Sequence, residues 1–208
     1  MDLLVATRSA DKMVEIRRIL GAVPGLRVID LDSAGIPRDP SEEELEPHET
    51  FEENARSKAE YFHARSGMPT VADDSGLAVD ALGGAPGVRS KRFAPDRGLS
   101  GKELDQANND HLLAQLGEMA LADRTCRYVC AAVLVGAADV PVVVRGEAEG
   151  LIVGRPRGYG GFGYDPYFFD PKIGKTFAEL DIERKNERSH RGKAFRALAD
   201  ELIARGVQ

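Results

Sequence analysis

The stretch from Thr50 to Gly76 constrains the fold more than any other part of this 208-residue chain, because it joins a self-capped helix to an apolar run that ends in charge. Thr50 and Glu53 stand at capping-box spacing, Gly67 supplies the stop, and apolar side chains recur between them at helical intervals. Phe51, Ala55, Ala59 and Phe62 make the buried stripe, with Asn54 and Lys58 one turn apart and close to its edge. Residues 68–72 are mostly small or apolar and read as a short buried strand, and Ser75-Gly76 reads as the turn that ends it. Asp73 and Asp74 are thereby expected at a strand end. Because side chains alternate faces along a strand, the two aspartates point in different directions: one can face a ligand while the other braces the loop or reaches a metal from behind. Such a pair suits a divalent cation and a water-activating base. Taken alone, an Asp-Asp pair is more often a solvated acidic turn.

The rest of the chain alternates strand and helix patterns. Residues 3–6 read as a first strand, followed by the loop Thr7-Arg8-Ser9-Ala10-Asp11 and a helix from Lys12 to Leu20. Residues 39–49 are acidic and proline-bearing. Beyond the aspartates, residues 77–82 read as a short strand, and Gly83-Gly84-Ala85-Pro86-Gly87 as a tight loop. A helix is predicted over 100–116, a hairpin from 125–136 and 140–147 around Ala137-Ala138-Asp139, and a last helix over 191–204 with Phe195, Leu198 and Leu202 inward.

Composition narrows the function classes. A hydrophobic fraction of 42% with 30% charged residues is ordinary for a soluble globular protein, and the length fits one domain of one or two lobes. No apolar run approaches a membrane span, and the N-terminus lacks a basic leader, so a cytoplasmic location is expected. A net charge of -6 argues against a nucleic-acid polymer as partner. Cys126 and Cys130 would lie roughly 13 Å apart on an extended segment at ~3.3 Å per residue, too far for a disulfide, and are expected in the core.

Three further segments carry candidate chemistry. Thr7, Ser9 and the free N–H groups of the first helix form an anion site with Lys12 in its first turn, although Ser9 is as well explained as a simple helix cap. Gly174-Lys175-Thr176 ends like a Walker loop, but Phe169 stands where the leading glycine belongs, and Asp-Asp-Ser is not the Asp-x-Asp of a haloacid-dehalogenase phosphatase. In Gly158-Tyr159-Gly160-Gly161-Phe162-Gly163-Tyr164-Asp165-Pro166, glycines allow close backbone approach while Phe162 offers a flat face for a base. Lastly, Lys185 precedes Ser189-His190-Arg191-Gly192 at a helix start. Cations there oppose the helix dipole, which suggests an external acceptor such as a purine keto oxygen; a solvated helix end is the alternative.

In order along the chain, Ala6-Thr7-x-x-x-x-Lys12-x-x-Glu15, Glu46, Thr50-Phe51-x-x-Asn54-Ala55-x-x-Lys58-Ala59, Ala72-Asp73-Asp74-Ser75-Gly76-Leu77, Gly83-Gly84-Ala85-Pro86-Gly87, Gly160-Gly161-Phe162-Gly163-Tyr164-Asp165-Pro166 and Ser189-His190-Arg191-Gly192 resemble the inosine triphosphate pyrophosphatase family. The resemblance implies an elongated α/β fold, a single domain over 1–208 with a central mixed sheet flanked by helices in two lobes and the nucleotide in the cleft between them. It also implies a homodimer that uses Mg2+ to hydrolyse noncanonical purine nucleoside triphosphates (dITP, ITP, XTP) to monophosphate and pyrophosphate.

Carried onto this sequence, the resemblance makes Asp74 the general base and a metal ligand, with Glu46 and Asp73 assisting the metal. Lys12 and Lys58 act on the phosphates. Substrate contacts fall to Thr7, Arg8, Ser9, Ala10, Asp11, Lys12, Asn54 and Ser75, and base recognition to Phe162, Gly163, Tyr164, Asp165, Lys185, His190 and Arg191. Two positions depart from the family pattern, Ser9 for asparagine and His48 for glycine. A Maf-type pyrophosphatase of pyrimidine or modified nucleotides and a non-catalytic nucleotide-binding regulator are the competing readings.

Overall fold

Strand β1 (Asp2–Val5) feeds helix α1 (Ala10–Leu20), whose start is set by Ser9 as N-cap accepting from the Lys12 amide. The computed structural model describes residues 1–206. After β2 (Arg27–Asp30), the chain enters α2 (Phe51–Ser66), capped as its sequence demands by the Thr50 side chain at one end and by left-handed Gly67, φ 66°, at the other. Then follow β3 (Thr70–Val79), α3 (Gly101–Leu116), β4 (Thr125–Val135), β5 (Val142–Ile152), β6 (Phe168–Asp170) and β7 (Lys175–Thr176). Helices α4 (Ile182–Arg188) and α5 (His190–Ala204) close the chain.

The strands form one seven-stranded sheet in the order β2-β1-β3-β4-β5-β6-β7. It is mixed: β1 is parallel to β2 and β3, and β6 is antiparallel to β5 and β7. The α/β class with a mixed sheet and flanking helices is therefore as expected. The two residues Lys175–Thr176 make an edge strand, not a phosphate loop.

The chain divides into two compact units. Among the described residues, the first comprises 1–74, 130–146 and 190–206, the second 75–129 and 147–189. In the first unit, strand alternation sorts the core into two layers. Leu3, Val5, Val71, Cys130, Ala132 and Leu134 pack with Met13, Ile16 and Leu20 of α1 and Phe195, Leu198 and Leu202 of α5. Leu4, Ala6, Ala72, Val133 and Val135 pack with Ala55, Ala59 and Phe62 of α2. Each fully buried Leu or Phe is worth about 1.5–3 kcal/mol of transfer free energy, so a one-residue slip of register would exchange the two layers and forfeit both. Gly146 lets α5 settle on β5: an added Cβ would stand 2.2 Å from the His190 carbonyl oxygen.

In the second unit, Leu77, Val79, Cys126, Tyr128, Ala148 and Ile152 pack with Leu112 and Leu116 of α3 and with Tyr164, Tyr167, Phe168 and Phe177. Both cysteines are free and buried, as expected.

One expectation fails in a useful way. Ser75-Gly76 does not end the strand: β3 continues through Asp73, Asp74, Ser75 and Gly76 to Val79, and a 3-10 turn takes Asp80–Leu82. Asp73 and Asp74 run as extended chain because their side chains find distant partners.

Candidate active site

Alternation on β3 fixes the roles of the two aspartates. Asp73 shares the parity of Val71 and so faces α1 and α5, while Asp74 shares that of Ala72 and faces α2. Asp73 Oδ2 accepts from Lys12 Nζ at 3.0 Å and from Arg191 Nε at 3.4 Å. Arg191, 2% exposed, also donates from Nη1 to Glu15 Oε2 at 2.6 Å. Burial opposes its charge, yet Asp73 and Glu15 together raise its pKa above the ordinary guanidinium value. The acceptor that a cation in the first turn of α5 calls for is thus, for Arg191, a pair of buried carboxylates within its own unit.

Asp74 is 5% exposed, and its Oδ2 accepts from Asn54 Nδ2 at 3.1 Å. Asn54 itself is clamped, since its Oδ1 accepts from the His48 amide at 2.8 Å and its Nδ2 donates to the His48 carbonyl at 3.1 Å. The helix-edge position read from sequence is therefore a buried relay between the acidic loop and the catalytic candidate. His48 enters through its backbone, with the residue exposed.

Lys58, on α2, donates to Glu46 Oε1 and to the Asp73 carbonyl oxygen, each at 2.5 Å. Burial works against its charge, but Glu46, Asp74 and Asp73 outweigh it and hold the ammonium above its usual pKa. Asp74 moves the other way from a typical salt-bridged acid. Burial first, then Glu46, raise its pKa above the ordinary carboxylate range against the opposing pull of Lys58, Lys12 and Asn54.

This environment suits a hard divalent cation. Glu46 and Asp74 supply carboxylate oxygens, and their mutual repulsion is what a bound cation would relieve; Mg2+ is commonly held by one or two carboxylates together with substrate phosphates. The expected trio of Glu46, Asp73 and Asp74 does not gather. Among the described residues no group of three or more His, Cys, Asp or Glu side chains is arranged to hold a metal. Asp73 leaves the set because the strand turns its carboxylate toward Lys12 and Arg191.

The first loop is divided between structure and opening. Ser9 caps α1, its amide donating to Thr7 Oγ1 at 3.2 Å, so the plain reading of this serine is the observed one. Ala10 and Asp11 lie exposed in the first turn. Arg8, expected at the substrate, is committed elsewhere: its guanidinium grips both Glu42 oxygens, at 2.9 and 2.7 Å, and the carbonyls of Ile36 and Pro37. That fork staples the acidic loop that carries Glu46.

The second unit holds the aromatic candidates. Asp165, 2% exposed, accepts at Oδ2 from Lys185 Nζ at 2.6 Å and from the Phe162 amide at 2.9 Å. Lys185 Nζ also lies 4.6 Å from the Phe162 ring centroid. Tyr164 is buried, with its hydroxyl donating to the Ser90 carbonyl at 2.8 Å, and burial raises its pKa. Ser75 is the first residue of this unit and half-buried, while His190 opens α5 in the other unit and is 4% exposed. Sequence reasoning missed the structural parts of Glu15 and Glu42, although Glu15 lies one turn after Lys12, where a helical neighbour is expected.

The Ham1 family model matches residues 3–201. The chain belongs to the Ham1 family. A relative from Halorhodospira halophila, named dITP/XTP pyrophosphatase, is 46% identical over 98% of both chains, and one of the same name from Frankia alni is 46% identical over 96% of both. Among solved structures, a HAM1 protein from Coxiella burnetii superposes with a TM-score of 0.83 at 33% identity, covering 98% of this chain and 99% of its own. The Staphylococcus aureus Ham1 protein gives 0.82 at 34% identity over 99% and 100%. The relatives bear out the family expected from the ordered motifs.

Proposed function

We propose that this Ham1 protein is a Mg2+-dependent pyrophosphatase that hydrolyses noncanonical purine nucleoside triphosphates (dITP, ITP, XTP) to monophosphate and pyrophosphate. The observation that carries the reading is the buried Asp74 carboxylate, its pKa raised, beside Glu46 and two lysines. A carboxylate whose pKa lies closer to neutrality is a better proton acceptor than an ordinary aspartate. The names of the full-length relatives supply the substrate class.

In the reaction, a water oxygen bonds to the α-phosphorus while its proton passes to Asp74. The bond from that phosphorus to the bridging oxygen breaks, and pyrophosphate leaves with the electron pair. Lys12 and Lys58 offset the charge growing on the leaving group. Asn54 holds Asp74 in a fixed orientation through the change of protonation. Glu46 and Asp74 would hold Mg2+, which when bound supplies Lewis-acid stabilisation of phosphate oxygens. Phe162, with Lys185 and Asp165 behind it, offers the stacking face for the base, and His190 is a donor for its keto oxygen. With this activity go a cytoplasmic location and a homodimer, the latter measurable by sedimentation.

The test is to resolve the phosphorus-containing products from ITP in the presence of Mg2+. Monophosphate with pyrophosphate supports the reading, whereas diphosphate with orthophosphate, or binding without product, overturns it. A triphosphate panel separates it from a Maf-type enzyme, since modified pyrimidine substrates would then outrun ITP.

A further inference from the structure

The aromatic loop of the second unit is gripped by a helix that no reading of the substrate site includes. Gly163, at φ 61°, has both of its backbone polar groups taken by side chains of α3. Its N–H donates to Asp105 Oδ2 at 2.9 Å, and its carbonyl accepts from Asn109 Nδ2 at 2.9 Å. Asp105 and Asn109 are four residues apart and so share one face of the helix. Nothing lies within 4 Å of a Cβ built at Gly163, so the space where a side chain would stand is open, and these two bonds are polar restraints on its backbone.

The grip fixes what flanks it. Phe162, the residue before, presents its ring to Lys185, while Asp165, two residues after, locks Lys185 and the Phe162 amide. The N–H belongs to the peptide plane that joins Phe162 to Gly163 and the carbonyl to the plane that joins Gly163 to Tyr164, so the two bonds restrain both planes flanking the Gly163 Cα. The Phe162 ring is therefore aimed by α3 as well as by Asp165.

The choice of asparagine carries a cost that packing does not explain. Asn109 is 3% exposed, its Nδ2 donates to both the Gly163 and Asp105 carbonyls, and its Oδ1 is buried with no hydrogen-bond partner among the described residues. The two acceptors facing Nδ2 fix which end of the amide is which. A buried unsatisfied carbonyl is unfavourable, so it offsets part of what the two Nδ2 bonds contribute to stability.

We propose that Asp105 and Asn109 are positioning residues for base discrimination: by holding Gly163 at both ends they aim the Phe162 face that receives the purine. The inference rests on the pyrophosphatase reading of the preceding section. Neither residue touches substrate; they act through Gly163.

The experiment measures kcat and KM for ITP and for dGTP on wild type, Asp105→Ala, Asp105→Asn and Asn109→Ala, with a thermal melt of each. Wild type without pyrophosphate release from any purine triphosphate would sink the function itself and not this inference. Given an active wild type, Asp105→Ala is expected to raise KM for ITP by about tenfold with kcat within about twofold, the pattern of lost binding that does not change in the transition state. The dGTP parameters should move much less, so the preference for ITP narrows. Asp105→Asn, which keeps an acceptor oxygen, should recover most of the preference. Asn109→Ala deletes the unsatisfied oxygen together with the donor, so its melting temperature should fall only modestly while it still loses preference. That variant carries the test even if Asp105→Ala fails to fold. Parallel losses on both substrates, or an unchanged ratio in a folded Asn109→Ala, would overturn the proposal.

Discussion

The two units spend their buried polar groups differently. In the first, charges sit on regular elements, in mid-strand at Asp73 and Asp74 and on helices at Lys12, Lys58 and Arg191, and they perturb one another. In the second, the polar groups around residues 161–165 are used to fix a backbone, through Asp105, Asn109, Asp165 and Lys185. The first arrangement tunes a protonation state, and the second fixes the direction of an aromatic ring. Chemistry is therefore expected to fail when the first is altered, and selectivity when the second is.

The largest effect is predicted at Asp74. Asp74→Asn should lower kcat for ITP by about 10²–10⁴-fold, the usual worth of a general base, with the fold intact because the amide keeps an oxygen for Asn54. The same group sets the pH response. A base must be ionised, so kcat should rise with pH along an acid limb; in the metal-free protein burial and Glu46 raise the Asp74 pKa, so its carboxyl should titrate above the ordinary aspartate range there. The sign for stability is opposite: an acid whose folded pKa is raised contributes stability below its unfolded value and loses it as pH climbs through the folded one. A metal-free protein whose Asp74 carboxyl titrates at or below the unperturbed aspartate value would break the argument.

Next comes Arg191→Met, which removes the cation shared by Glu15 and Asp73. Asp73 keeps Lys12, but breaking a buried ion pair by removing one partner typically costs about 3–5 kcal/mol, visible as a large fall in denaturation midpoint. A change near zero would mean that the network is solvated. In the second unit, Gly161→Ala should act on selectivity. At φ 70° its Cβ would stand 2.2 Å from Asp165 Oδ2, so Asp165 must move and release the Phe162 amide. Preference for ITP over dGTP should narrow with the acid limb of the kcat profile unchanged; a shifted limb would erase the contrast between the units. Smallest is Thr50→Ala, which costs about 1 kcal/mol of α2 capping, read by thermal melting.

How much of this was legible in the sequence depends on where each residue's partners lie. Helix α2 was readable because Thr50, Glu53 and Gly67 are its own signals, and the opposed aspartates because alternation is local. The false turn at Ser75-Gly76 shows the limit. Asp73 and Asp74 look like turn residues until Lys12, Asn54 and Arg191 are in place, and those stand 61, 20 and 118 positions away. Arg191 was read as seeking an external acceptor for the same reason, since Glu15 is 176 residues distant. Arg8 was placed at the substrate by the family resemblance; its fork to Glu42 reaches 34 residues along the chain into an acidic loop that carries no period. Strand β2, with Arg27 and Asp30 at its ends, and helix α4, polar but for Ile182, carry too little apolar pattern to be read.

The most direct test of the central claim is a side-by-side melting measurement of Asp73→Asn and Asp74→Asn against wild type near neutral pH. If β3 assigns one aspartate to holding the fold and the other to reaction, the first variant melts well below wild type and the second melts level with it or above. Two variants that fall together by similar amounts would contradict the division of labour.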